Sequence, residues 1–191
     1  MMKFALTLLS LLLVAEPAVG FITSHVRRSS HQRHSVSMSL KVGDSFPADA
    51  LKSWGVSKKA AVLYFYGADQ APSCTKQASA FDSSLGEFKS LGVEVVGVRN
   101  EKGVKGDFAD SYAQRFVVDE GDAVRDEIGI PKDLFVLGGR ETYVVDKAGT
   151  VAMVFNDQFK PEAHVTKALE VAASLSPPKG KGKKFEFKLP F

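Results

Sequence analysis

Residues 61–66 read A-V-L-Y-F-Y, and residues 93–98 read V-E-V-V-G-V. Neither run shows the sustained apolar–polar alternation of a strand with one wet face. Each therefore reads as a strand covered on both faces, as in the parallel sheets of α/β proteins. The segment between them has a different period. Ala78, Phe81, Leu85 and Phe88 recur every three or four residues, which predicts a helix over 74–91. Pro72 fits its entry and Gly92 its end. A strand, a helix and a second buried strand form a crossover unit whose two strands lie parallel.

The rest of the chain extends this pattern. Residues 105–115 are expected to be helical, with Phe108 and Tyr112 on one face. Residues 116–118 are a short strand, and 122–128 a short helix stopped by Gly129 and Pro131. Strands 142–145 and 151–155 are joined by D-K-A-G-T, a turn signal. Pro161 opens the last helix, which runs to residue 174. The order β-α-β-α-β-α-β-β-α predicts an α/β thioredoxin-like fold: a central mixed sheet, helices on both faces, an antiparallel hairpin at the edge and one insertion.

The 191 residues carry a formal net charge of +3, unevenly placed. Residues 1–40 hold four basic residues against one acidic, and 176–191 hold five against one. The stretch between holds 16 basic and 20 acidic residues, so no nucleic-acid-binding core is expected. Lys3 precedes a twelve-residue apolar run, Phe4 to Ala15, and small residues Ala18 and Gly20 follow. This describes a secretory signal peptide over 1–20. A membrane anchor is the alternative, for which the run is short against a ~30 Å hydrocarbon layer. Residues 21–38 are rich in Arg, Ser and His and lack Asp and Glu, as transit peptides do. Together the two segments resemble the bipartite presequence of algae with complex, red-lineage plastids. A plastid location is expected, with the mature chain starting near Ser39; a secreted or endomembrane protein is the alternative. The domain is expected over 41–175. The tail, 176–191, interleaves lysines and glycines before Phe185, Phe187 and Phe191. It is expected to be solvated and disordered, with contact to an anionic membrane as the other reading.

Cys74 is the only cysteine. That excludes an intramolecular disulfide and a multi-cysteine metal site. Its expected place is the first turn of a helix after a buried strand, among free backbone N–H groups at the positive end of the helix dipole. Both favour a thiolate, the nucleophilic form of cysteine. Cys74 is not one of the apolar repeats, yet a buried structural cysteine stays open as a reading. Cys74-Thr75-Lys76-Gln77 lacks the second cysteine of a C-x-x-C dithiol. Three of the four histidines lie in the presequence, and His164 is expected at the surface or as a helix cap. Cys74 and His164 make neither a metal site nor a clear protease dyad. No cofactor is expected.

Residues 65–81, F-Y-G-A-D-Q-A-P-S-C-T-K-Q-A-S-A-F, resemble the active-site segment of the peroxiredoxins. The resemblance is to the Q type, also called bacterioferritin-comigratory-protein-like, with the pattern F-Y-P-x-D-x-T-P-G-C-T-x-Q/E-x-C-x-F. Val42-Gly43-Asp44 and Phe46-Pro47 match the family's opening. Asp119-Glu120-Gly121 with Val124-Arg125, and Gly139-Arg140-Glu141-Thr142-Tyr143-Val144-Val145-Asp146, match later stretches. Asn156-Asp157-Gln158-Phe159 and Pro161-Glu162-Ala163-His164 match the last. The resemblance implies that Cys74 is the peroxidatic nucleophile, whose thiolate attacks a peroxide O–O bond and becomes a sulfenic acid. It implies that Arg140 activates the thiolate and binds peroxide, a task suited to a permanent charge with fixed donors. The Cys74 N–H would help hold the peroxide. Arg125 is expected at the surface of its helix.

Three of the departures from the pattern bear on the chemistry. Gly67 replaces a proline and is expected to leave the loop freer. Ala71 replaces a threonine whose hydroxyl bonds thiolate and peroxide. Ser79 replaces the resolving cysteine, so the two-cysteine cycle is impossible within this chain. Ser73, where the family has glycine, is a candidate substitute for the lost hydroxyl. A sulfenate at Cys74 would need an external thiol such as thioredoxin, glutaredoxin or glutathione. Two functions follow. One is a one-cysteine thiol peroxidase for hydrogen peroxide or small alkyl hydroperoxides. The other is a catalytically weakened protein acting as a redox sensor or binding partner through Cys74.

Overall fold

The computed structural model describes residues 39–132 and 139–176. The signal, transit-like and tail expectations fall outside the described residues, Ser176 excepted. β1 (Ala60–Tyr66) is buried along its whole length, as its unbroken apolar run requires. α1 (Ala48–Ser53) precedes it; α2 (Pro72–Ser83), α3 (Leu85–Ser90) and β2 (Val93–Asn100) follow. Then come β3 (Arg115–Asp119), α4 (Ala123–Ile128), β4 (Glu141–Val145), β5 (Val151–Phe155) and α5 (Pro161–Leu175). The sheet order is β3-β2-β1-β4-β5. β1, β2 and β3 are parallel, β4 is antiparallel to β1, and β5 is antiparallel to β4. This is the mixed sheet expected, with the β4–β5 hairpin forming its antiparallel side.

Alternate residues of β1 serve two cores, because successive strand side chains point to opposite faces. Ala60, Val62, Tyr64 and Tyr66 pack with Ala78, Phe81, Phe88 and Ala168 of α2, α3 and α5. Ala61, Leu63 and Phe65 pack with Leu51, Trp54 and Ile128 on the α1 and α4 side. Tyr64 stacks on Phe81, ring centroids 4.3 Å apart. At Gly97 an added Cβ would lie 2.7 Å from the Phe116 ring and the Tyr64 hydroxyl. Glycine there lets the aromatic layer close onto the sheet.

Two local expectations are corrected, and one element was not expected. The helix expected over 74–91 is two helices, hinged at Ser84 (φ −96°, ψ 3°). Ser83 donates to the Ser79 carbonyl, a local bond of the kind that bends helices. Phe81, Leu85 and Phe88 keep the same buried face across the hinge. Residues 105–115 form only a short 3₁₀ turn, Phe108–Ser111. Asp82 of α2 accepts bonds from the Ala113 and Gln114 amides, which a helix would have kept for itself. Phe108 and Tyr112 still pack on the core, their rings 5.0 Å apart. Finally α1, six residues long, carries too little periodicity to be read from sequence.

Candidate active site

α2 begins at Pro72, and Ala71 takes the N-cap position in extended backbone without a side-chain cap bond. Thr75 N–H makes the helix's first i→i−4 bond, to the Ala71 carbonyl, so Ser73 and Cys74 occupy the turn where helix amides point outward. No acidic residue lies in that turn to cancel the positive end of the dipole. Cys74 is 5% exposed. It also belongs to the buried stripe with Gln77, Ala78 and Phe81, contrary to its expected separation from the apolar repeats. The thiol is thus both part of the core's upper edge and at the helix mouth.

Arg140 comes from the segment entering β4 and is 1% exposed. Its Nη2 lies 3.5 Å from Cys74 Sγ and donates to Ser73 Oγ at 2.9 Å. Its Nη1 donates to Gln77 Oε1 at 2.6 Å and to the Ser73 carbonyl at 3.3 Å. The guanidinium is therefore laid flat along the first turn of α2, with its charge against the sulfur. Ser73 Oγ is engaged as an acceptor by Arg140, which leaves its O–H free to donate elsewhere. Ala71 brings no polar side-chain atom to this cluster. Ser79 is exposed, one turn further along α2.

The loop between β1 and α2 is pinned from below. Asp69, 1% exposed, accepts from the Tyr66 hydroxyl at 2.8 Å, from Arg99 at 3.3 Å and from the Lys105 amide at 2.9 Å. Its own N–H bonds the Gly103 carbonyl at 2.8 Å. A Cβ at Gly103 would overlap the Gly67 carbonyl, so the two backbones are in direct contact. Against the expectation of a freer loop at Gly67, the loop is fixed by a buried carboxylate. Burial, then the bond to Asp69, holds the Tyr66 phenol far above its ordinary titration range, so it stays a donor. Gln70 adopts a left-handed conformation, φ 61°, an uncommon one for a residue with a side chain.

Two expected surface residues are buried. His164 is wholly buried. Its Nε2–H donates to the Asp157 carbonyl at 2.9 Å, and its Nδ1 accepts from Thr142 Oγ1 at 2.8 Å. Burial, with help from nearby Arg140 and against the pull of Asp157, lowers its pKa to about 4, so the ring is neutral beside the site. Arg125 is 3% exposed. It donates to the carbonyls of Gly139 at 2.9 Å, Tyr66 at 2.7 Å and Val98 at 3.0 Å, and its guanidinium sits 5.1 Å over the Phe65 ring. Burial lowers its pKa, and Asp119 and Asp122 oppose that shift.

Gln77, Asp69 and Arg125 went unremarked as site residues in the sequence. A signal existed for Gln77: a polar residue three after Cys74 and one before Ala78 lies on the buried helix face. For Arg125 the signal was its place three residues before the buried Ile128 on a six-residue helix, where one face must be covered. Among the described residues no group of three His, Cys, Asp or Glu side chains could hold a metal. None of the helices there is long and apolar enough to cross a membrane.

A thioredoxin-like sheet that holds a buried thiol at a helix mouth, with an arginine 3.5 Å from its sulfur, sets the class of fold and site. Comparison with known proteins narrows the class. The AhpC/TSA family matches residues 41–154. Peroxiredoxin Q of Populus jackii chloroplasts is 40% identical over 159 residues, 77% of this chain and 75% of that protein. Peroxiredoxin Q of Sedum lineare chloroplasts is 49% identical over 121 residues, 61% of this chain and 65% of that protein. The chain thus spans just under two thirds of the Sedum relative, and 56% of the wheat (Triticum aestivum) chloroplast peroxiredoxin Q, to which it is 46% identical. Among solved structures, peroxidoxin BcpB of Mycobacterium tuberculosis aligns with TM-score 0.62 and 27% identity, over 72% of this chain and 99% of that one. Bacterioferritin comigratory protein of Xanthomonas campestris, whose structure addresses alkyl peroxide reduction, aligns with TM-score 0.54 and 25% identity, over 63% and 80%. The chain belongs to the AhpC/TSA family and, within it, to the Q-type peroxiredoxins. The chloroplast relatives support a plastid location.

Proposed function

We propose that this chain is a one-cysteine thiol peroxidase of the plastid, reducing hydrogen peroxide or small alkyl hydroperoxides with an external thiol. The observation that carries the reading is Arg140 Nη2 at 3.5 Å from Cys74 Sγ, at the mouth of α2. In this reading the Cys74 thiolate attacks one oxygen of ROOH. The O–O bond breaks, ROH leaves with a proton from solvent, and Cys74 becomes a sulfenic acid. Arg140 offsets the charge on sulfur and on the departing oxygen. The Cys74 amide and the free O–H of Ser73 orient the peroxide, the hydroxyl standing in for the one Ala71 lacks. An external thiol, of thioredoxin, glutaredoxin or glutathione, then condenses with the sulfenic acid. Water leaves and a mixed disulfide forms; a second thiol releases Cys74 and takes away the disulfide.

The working domain is residues 41–175, delivered by a signal peptide over 1–20 and a transit-like segment over 21–38, with 176–191 as a solvated tail. The test is turnover. With excess hydrogen peroxide and no thiol, the protein consumes peroxide only until Cys74 is spent. With glutathione or thioredoxin and its reductase, consumption continues and depends on the thiol. Peroxide consumption that never exceeds the rate of the thiol alone would reject the enzyme. A second reading, a redox sensor or binding partner working through Cys74, is favoured by the lack of a side-chain hydroxyl at Ala71. It predicts stable glutathionylation of Cys74 with little turnover.

A further inference from the structure

We infer that Arg125 is a positioning residue for Arg140: it fixes the distance between the arginine and the cysteine from the far side of the sheet. This rests on the peroxidase reading above. The Arg125 guanidinium joins three backbone points at one end of the sheet. Tyr66 O is the last carbonyl of β1, from which the Cys74 loop departs. Val98 O lies near the end of β2. Gly139 O is the carbonyl of the peptide that carries Arg140. One rigid, planar donor thus ties the strand that leads to Cys74 to the residue that delivers Arg140. A fork of fixed geometry does this in a way that an ammonium on a flexible stem does not.

Each side of the fork is itself held. Asp119 Oδ2 and Asp122 Oδ1 lie 3.8 and 3.7 Å from Arg125 Nε, and Asp119 accepts the Val124 and Arg125 amides at 2.9 Å. The Phe65 ring closes one face of the guanidinium. On the other side, a Cβ at Gly139 would overlap the Pro131 carbonyl and crowd Ile130. The Gly139 peptide is therefore pressed against the residues that follow α4, and α4 carries Arg125. The separation of Arg140 from Cys74 is set by this clamp. A small displacement of a reacting group's partner is costly to rate, up to about 10²-fold for ~1 Å.

A double-mutant cycle on the full chain separates positioning from general stability. Arg125→Lys keeps the charge and loses the three-point fork. Thermal unfolding, followed by Trp54 fluorescence, verifies that each variant is folded at the assay temperature. Two rates are read at one pH: oxidation of Cys74 by hydrogen peroxide, and the ratio of Cys74 alkylation by anionic iodoacetate to that by neutral iodoacetamide. The expected result is a loss of about 10-fold or more in the peroxide rate and a several-fold fall in the alkylation ratio. Both losses are absent when Arg125→Lys is made in an Arg140→Ala background. Equal losses in both backgrounds, or no loss, would overturn the inference. If wild-type Cys74 meets peroxide no faster than free cysteine, the peroxidase reading fails, while the alkylation cycle still decides the positioning. Should Arg125→Lys not fold, Asp122→Asn takes its place, since Asp122 steadies the same guanidinium. A twofold or larger fall in the alkylation ratio, silent in Arg140→Ala, supports the clamp; no fall counts against it.

Discussion

Ala71 leaves the first turn of α2 without a side-chain cap bond. It holds the N-cap of α2 with a methyl group, and a Ser or Thr cap contributes about 1 kcal/mol over alanine. Ala71→Thr is therefore expected to raise unfolding stability by about 1 kcal/mol in urea titration. The same hydroxyl adds a donor at the sulfur beside that of Ser73, and Cys74 oxidation by peroxide should quicken, by less than the ~10²-fold that a lone donor supplies. Stability that rises while the rate stays level would mean that the site gains nothing from that hydroxyl. Ser73→Gly is the companion change. It removes the hydroxyl bonded to Arg140, and a slower peroxide reaction is expected in the same assay. At this scale the sequence was legible in part. Cys74 could be placed at a helix start from the strand and proline around it. Nothing in spacing brings Arg140, 66 residues away, to it; that came only through family resemblance. The contacts of Gln77 and Arg125 depend on how α2, the ends of β1 and β2 and the residues entering β4 meet, which single-residue patterns do not encode.

Among the elements, α5 and β4 share the buried His164–Thr142 pair. An ordinary histidine has a pKa near 6.5, and this one is lowered to about 4. The unfolded chain thus binds a proton between these values that the folded chain refuses. Stability is full above pH 6.5 and falls as the pH drops toward about 4, by on the order of 3 kcal/mol. Urea midpoints measured across that window give the slope. His164→Gln, which can keep both bonds without titrating, should flatten it, and an unchanged slope would place the proton elsewhere. The strands were legible because burial on both faces leaves an unbroken apolar run, as in β1. The final helix was legible because Pro161 marks its first turn. The span 105–115 misled because Phe108 and Tyr112 sit four apart as on a helix, while Asp82 from α2 takes the amides. A side chain that arrives from another element leaves no local trace in the sequence.

The molecule as a whole sets a Q-type framework around a single thiol. Its sheet order, the two cores and the mouth of α2 hold one buried thiol against one buried guanidinium. With no second cysteine, the chain cannot shelter a sulfenic acid as an internal disulfide. Under excess peroxide without thiol, Cys74 is expected to pass on to sulfinic acid, read as irreversible loss of the free thiol by intact-protein mass spectrometry. Glutathione added before the peroxide should prevent that loss; loss at the same rate would show that no external thiol reaches the site in time. The central claim is that Arg140 makes Cys74 reactive toward peroxide. Its most direct test is the rate of sulfenic acid formation at Cys74 with hydrogen peroxide, measured at one pH for the wild-type chain, for Arg140→Ala and for free cysteine. The account predicts a wild-type rate orders of magnitude above free cysteine, and its collapse in the variant. A wild-type rate equal to that of free cysteine, or one unmoved by loss of the arginine, would contradict it.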